Sequence, residues 1–412
     1  MTTTAESGTT KPAPPPPGVF ATLRQTPVSV RYLLGGVLIN QMGAFVQTFL
    51  VLYLTARGLS VGHAGLALTA YSVGAVLGTI LGGELVQRFG PRATITGAMA
   101  TSAVILVLIP ALSGAGRFPL LLVAVALAGL ATQSYRPAAS VLLSDLIPAE
   151  HRVMGFSMMR IALNGGAALS PLIAAGLILL DWDLLFYLDA GTALVYALLA
   201  LTLLPKVAAP VEEDEEDGPK TKGGYGALLR DRKYLAFLAS VLLGSVIYVQ
   251  YTVALPLKIS SEGHPTALYS TVLTASSVIL ISCELKLTSY VKRWPPHLAG
   301  GVGTALMALG VAGYGLPFGS SVTIVLCTVV FVFGVMISGP TMFAHPATYP
   351  AAVKARYIAA HQAGFGVGLA LGPTLGVLAW SALGNGIWWV CGVVGLVAAL
   401  CAHLGMRGTP AA

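Results

Sequence analysis

Glu284, Asp189 and Asp145 are the carboxylates best placed to do chemistry in this sequence, because each stands inside or at the edge of a long apolar run. A charge at the centre of a hydrocarbon layer costs at least about 2.5–3.5 kcal/mol, so a carboxyl group in such a place points to a job, most simply carrying a proton. Glu284 comes first, with a structural pair to a basic residue of another helix as its alternative role. Lys286 is not placed to be that partner, since residues two apart face different sides of a helix. Asp189 lies near one end of its run, where helix capping or pairing at the outer end competes with proton transfer. Asp145 and Arg160 flank a turn and read as a gate network more than as a substrate site. Arg136, nine residues before Asp145, sits about 13 Å deeper along a helix. There it would attract an anionic group, hold a neighbouring carboxylate or lock the helices together.

Uncharged polar residues inside the apolar runs outline a candidate cavity: Asn40, Gln41, Gln47, Gln133, Asn164, Tyr248, Gln250 and Tyr251. Half of them are expected to face it and half to bond between helices. His345 and His361 read as interhelical contacts before proton relays. Enzyme chemistry finds no support: there is no HExxH, no Cys and His cluster and no serine dyad. The four cysteines, Cys283, Cys327, Cys391 and Cys401, fall inside apolar runs and read as small buried residues. No metal or cofactor is implied.

The elements that must position these groups follow from composition. The chain is 56% hydrophobic and 9% charged, with a mean hydropathy of +0.81, whereas a soluble domain carries roughly 25% charged residues. This is the composition of a polytopic membrane protein. The net charge of +7 is scattered between apolar runs instead of forming a patch with aromatics, which argues against nucleic acid as a partner. Runs long enough to cross about 30 Å of hydrocarbon as helix are expected at 30–55, 64–86, 94–112, 118–143, 156–180, 184–204, 235–257, 267–288, 298–316, 322–347, 358–382 and 386–404.

Before them, residues 1–27 form a Thr-, Ala- and Pro-rich tail with no apolar core, expected to be disordered and not a secretory signal. Residues 205–234 are expected to be a solvated linker, with the acidic run Glu212–Asp217 and a basic end, LLRDRK, suited to an anionic leaflet. It would divide 28–204 from 235–404, and 405–412 would be a second tail. Most Lys and Arg fall on one side of the runs, with only Arg57, Arg117 and Lys258 in loops on the other. The positive-inside rule then puts both termini and the linker in the cytoplasm.

The two halves resemble each other. Pro148, Arg152, Gly166 and Pro171 match Pro350, Lys354, Gly368 and Pro373, each 202 residues apart. The basic turn GGELVQRFGPR at 82–92 returns as VKRWPPH at 291–297, with Arg88 opposite Arg293. A near-constant offset argues for a duplicated six-helix unit in parallel orientation.

On these motifs the chain resembles transporters of the major facilitator superfamily. The family's signature after the second helix is matched by Gly83, Arg88, Gly90 and Arg92, but Gln87 stands where the family has a gating acid, and Glu84 is the residue available to replace it. In the fifth run, Gly166, Ser170, Pro171, Ala174 and Ala175 resemble the family's antiporter motif, and Gly368, Gly372, Pro373 and Gly376 repeat it in the eleventh. With the run ELKLT before the second basic turn, this is similar to the superfamily's drug and small-molecule exporters, particularly actinobacterial ones. The resemblance implies an all-α fold of two pseudo-symmetric six-helix bundles, a central path lined by the first, fourth, seventh and tenth helices, and a monomer in the cell membrane. It also implies proton-driven export of an apolar or cationic small molecule. An importer or facilitator of a sugar, amino acid or other metabolite is the main alternative, and a non-transporting membrane sensor a remote one.

Overall fold

In hydrocarbon a backbone has no water to bond, so a long apolar run closes its own hydrogen bonds as helix. The computed structural model describes residues 26–206, 225–316 and 320–408. The tail before Thr26, the acidic run Glu212–Asp217 and residues 409–412 lie outside the described residues.

Among the described residues, ten stretches are long and apolar enough to cross a membrane. One of them, Ala351–Gly405, is divided at Gly384 into two helices, and Pro296–Gly313 stands beside them as a further long helix. The first helix runs Val28–Met42 and resumes as Val46–Ala56. The second to sixth are Val61–Phe89, Pro91–Leu112, Phe118–Leu146, Arg152–Ile178 and Leu184–Leu203. The seventh to twelfth are Arg232–Ser261, Thr266–Val291, Pro296–Gly313, Ser321–Ala344, Ala351–Leu383 and Ile387–Gly405. Large apolar side chains such as Leu172, Leu179, Leu326 and Val393 stand exposed on the outside, as a lipid-facing surface requires.

Helix ends follow local chemistry. Ser60 caps the second helix by accepting from the His63 N–H at 3.2 Å. That helix stops at Gly90, whose φ of 80° lies in the left-handed region. Pro91 then opens the third helix, where its missing N–H leaves nothing unsatisfied. Asp231 caps the seventh helix through the Tyr234 N–H at 3.0 Å.

The packing repeats itself. The first helix packs on the fifth and sixth, the second on the fourth, and the third on the fourth and sixth. Six helices on, the seventh packs on the eleventh and twelfth, the eighth on the tenth, and the ninth on the tenth and twelfth. Across the halves the second meets the eleventh and the fourth meets the eleventh, mirrored by the eighth on the fifth and the tenth on the fifth.

Close approach depends on small residues. A Cβ at Gly74, Gly78 or Gly82 would lie 2.0–2.2 Å from the carbonyl oxygen of Ala126, Leu130 or Ser134 in the fourth helix. Backbone-to-backbone contact of this kind is how helices associate where there is no water to expel. Gly78→Val is therefore expected to lose about 1–3 kcal/mol of stability, read as a lowered thermal midpoint in detergent. Gly97→Ala, with nothing within 4 Å of the added carbon, is the neutral control.

Four features depart from expectation. Of the four cysteines only Cys391 is buried, while Cys327 and Cys401 are half-buried and Cys283 is exposed. The first run is not one helix but breaks at 43–45, where Gly43 leaves the space that the Thr192 side chain occupies. Residues 225–228 of the expected linker form a helical turn, and the Tyr225 hydroxyl donates to the Ile80 carbonyl at 2.9 Å. The end of the twelfth helix is packed: Met406 is buried and Lys233 Nζ donates to the Arg407 carbonyl at 3.3 Å.

Candidate functional site

A cavity of about 350 Å³ lies where the two sets of helices face each other. Of the sequence-derived candidates, Gln41, Gln47, Gln133, Arg136, Asn164 and Tyr248 line it, together with Arg160. Tyr251 instead shares with Tyr248 and Asn164 a second cavity of about 220 Å³. Two candidates are corrected. Asn40 is buried and lines neither cavity. Gln250 donates to the Val246 and Gly372 carbonyls, each at 2.9 Å, because Gly376 leaves room for its side chain beside the eleventh helix.

The cavity also takes groups that hydropathy did not single out. Tyr71, Thr79, Ser140, Ser240, Ser338 and Gln362 supply polar atoms, and Phe343 and Phe365 supply apolar surface. Gln362 had a signal in the sequence, since it stands 202 residues after Arg160. Both reach across the halves: the Gln362 amide donates to Ser140 Oγ at 2.8 Å, and Arg160 reaches Glu284.

That second contact is the most buried ion pair among the described residues. Arg160 Nε lies 2.8 Å from Glu284 Oε1, with Glu284 0% and Arg160 12% exposed. The guanidinium also lies 5.7 Å from the Phe343 ring centroid. A Cβ on Gly339 would come within 2.4 Å of it, so the tenth helix makes room for Arg160 by having glycine there. Ser157 and Thr288 hydroxyls lie 3.2 Å apart beside the pair, while Glu284 Oε2 is buried with no hydrogen-bond partner. Lys286 is exposed. Asp145 and Arg160 do not form the shared network expected of them, because each takes its partner from the other half.

Toward the face that carries Arg88, Arg152 and Lys354, further contacts join the halves. Lys354 pairs with Asp145, and Arg152 Nη1 donates to the Ala347 carbonyl at 3.4 Å. Under the 202-residue offset these are one contact made twice, with a backbone oxygen standing in where the second half lacks the acid. Asp145→Lys is accordingly expected to reduce activity several-fold and Asp145→Lys with Lys354→Asp to restore most of it, which a double-mutant cycle would measure.

Glu84 accepts from Arg356 Nε and Arg88 Nε, each at 3.1 Å. Gln87 Nε2 is buried and unpartnered. A Cβ on Gly83 would lie 2.5 Å from Ala359 Cβ, so glycine lets the second and eleventh helices close. Burial pushes the Tyr225 hydroxyl beside them up to about 12, with the Glu84 charge adding to the effect, so it remains a donor. Arg92 donates to the Leu201 carbonyl within its own half, and Arg293 is exposed. On the opposite face the ion pairs run within a half: Arg57 with Asp183, and Lys258 with Glu262.

The antiporter-like segments both do close packing. A Cβ on Gly166 would lie 2.7 Å from Gln41 Cβ, and one on Gly368 1.8 Å from Ser245 Oγ, pairing the fifth helix with the first and the eleventh with the seventh. Pro171 and Pro373 sit inside those helices. Asp189 is buried near Phe45 and Val46, where the second segment of the first helix begins. His345 and His361 pack their rings against Phe237, and His361 also against Phe343, and both ring nitrogens of His345 are buried with no hydrogen-bond partner.

Comparison with known proteins agrees with this architecture. The Major Facilitator Superfamily model matches residues 33–349. The chain is 29% identical over 239 residues to a Na(+), Li(+), K(+)/H(+) antiporter of Planococcus maritimus, covering 54% of this chain and 55% of that protein. It is 24% identical over 370 residues to the multidrug resistance protein MdtH of Aeromonas salmonicida (strain A449), covering 84% and 87%. Its fold superposes on the proton:xylose symporter XylE with a TM-score of 0.72 at 18% identity, covering 90% and 94%. A family match over most of the chain, joined to a shared fold with paired helix contacts in each half, makes this multi-pass membrane protein a member of the Major Facilitator Superfamily of transporters.

Proposed function

We propose that this transporter exports a small organic compound in exchange for protons by alternating access. The observation that carries the reading is the buried Arg160–Glu284 pair, which ties the two halves together beside a cavity that both halves line. The positive-inside rule makes the face of Arg88, Arg152 and Lys354 cytoplasmic, with both termini on that side of the cell membrane. On that reading the contacts Glu84–Arg356, Asp145–Lys354 and Arg152–Ala347 close the cytoplasmic side.

The cycle follows from the pair. Separating a bare carboxylate from a guanidinium away from water is costly, whereas a protonated Glu284 no longer holds Arg160 by charge. A proton arriving from outside would loosen the inner closure, let the halves rock and leave on the cytoplasmic side. Substrate would bind from the cytoplasm as the proton leaves, and re-forming the pair with Glu84–Arg356 and Asp145–Lys354 would return the cavity outward. Asp145 and Asp189 are the other proton-carrying candidates. The residues lining the cavity would contact substrate, and a single chain would suffice. The names of two relatives, an antiporter and a multidrug resistance protein, support this direction.

Direction is tested in everted membrane vesicles, whose interior corresponds to the outside of the cell. Energised vesicles should accumulate exported compounds from a panel, and a protonophore should release them. Accumulation in right-side-out vesicles instead, unaffected by Glu284→Gln, would make the protein an importer or facilitator.

A further inference from the structure

The sequence-based expectation of an apolar or cationic cargo does not match the cavity wall. Among the described residues no carboxylate lines the cavity, and of its two arginines Arg160 is neutralised by Glu284. Arg136 has no ion-pair partner among the described residues, and its Nε is buried without a hydrogen bond. A guanidinium presents a planar fork of donors that fits a carboxylate, sulfonate or phosphate. Gln133 and Gln41 line the same half of the cavity with neutral polar atoms, so that side is polar and positive.

The opposing wall adds apolar surface beside the polar atoms of Ser240, Ser338 and Gln362. Tyr248, Met307, Phe343 and Phe365 line it, and the side cavity beyond Tyr248 ends on Tyr251 and Phe331, stacked with ring centroids 5.0 Å apart. Flexible thioethers and aromatic faces accept apolar bodies of varied shape.

We propose that the cargo is an amphipathic organic anion, its acidic group held at Arg136 and its aromatic or apolar body against Tyr248 and the Tyr251–Phe331 side cavity. The proposal rests on the cavity being the transport site and does not depend on proton coupling or direction. Cation rejection follows from the same arrangement, because a protonated amine would meet a guanidinium with no ion-pair partner among the described residues and no carboxylate in the cavity wall.

The test is binding to purified protein in detergent, read as a thermal shift with three probes of one skeleton: naphthalene-2-sulfonate, naphthalene-2-sulfonamide and 2-naphthylmethylammonium. In the wild type the sulfonate is expected to raise the unfolding midpoint, with an apparent affinity at least about tenfold above the other two. Arg136→Gln should remove that preference and Arg136→Lys keep part of it, while Tyr248→Ala should weaken the sulfonate without changing the order of the three. The charge preference of the wild type needs no variant, so a misfolded Arg136→Gln does not block the answer. Equal shifts by all three probes, a larger shift by the amine, no sulfonate shift, or full sulfonate binding in folded Arg136→Gln would each overturn the proposal. Because no gradient is applied, failure here is distinct from failure of proton exchange.

Discussion

Replacing Glu284 by Gln is expected to cut pH-gradient-driven transport at least about tenfold, the equivalent of 1.4 kcal/mol, while substrate counterflow without a gradient survives. The isosteric amide can still accept from Arg160, so the cavity and the helix contacts at Gly339 remain. What it removes is the only group that can give and take a proton at the pair. Arg160→Gln, which leaves a bare buried carboxylate, should be the more damaging to folding, because breaking a buried ion pair from one side costs about 3–5 kcal/mol. Thermal unfolding in detergent should place it below both the wild type and Glu284→Gln. Unaltered gradient-driven transport in Glu284→Gln would remove Glu284 from the coupling mechanism.

The second large effect is expected at the missing family acid. Glu84→Gln should impair transport several-fold and Gln87→Ala much less, because Glu84 binds Arg356 across the halves and Arg88 along its own helix. Glu84 is 28% exposed, so solvent screening limits each contact to about 1 kcal/mol or less. Losing two of them together still corresponds to a several-fold change in a conformational equilibrium. Gln87, with its amide nitrogen buried and unpartnered, makes no ionic contact to lose. Initial transport rates of the two variants at matched expression decide it, and the reverse ranking would return the role to position 87.

Much of this was legible in the sequence because hydrocarbon imposes simple rules. Long apolar runs became helices, the basic turn at Gly90 and Pro91 became a helix boundary, and the 202-residue offset foreshadowed contacts made twice. Glu84 was legible as a replacement acid because it lies three residues before Gln87, on nearly the same face. Partners were not legible. Nothing local in the chain says that Arg160 meets Glu284 and not Asp145, since that choice depends on how the fifth helix packs against the eighth and tenth. Gln250 and Asn40 looked like cavity residues because polarity reveals that a side chain needs a partner, not where the partner stands. The break at 43–45 was hidden for the same reason, as Thr192, which fills the space beside Gly43, belongs to another helix.

The most direct measurement is transport into proteoliposomes carrying an imposed pH gradient, wild type against Glu284→Gln and Asp189→Asn, with naphthalene-2-sulfonate as the first cargo and a small-molecule panel beside it. Wild-type protein is expected to move cargo against its concentration gradient as protons run the other way, Glu284→Gln to lose that drive, and Asp189→Asn to keep most of it. An imposed gradient that moves no cargo through the wild type would contradict proton exchange, whatever the fold and the cavity allow.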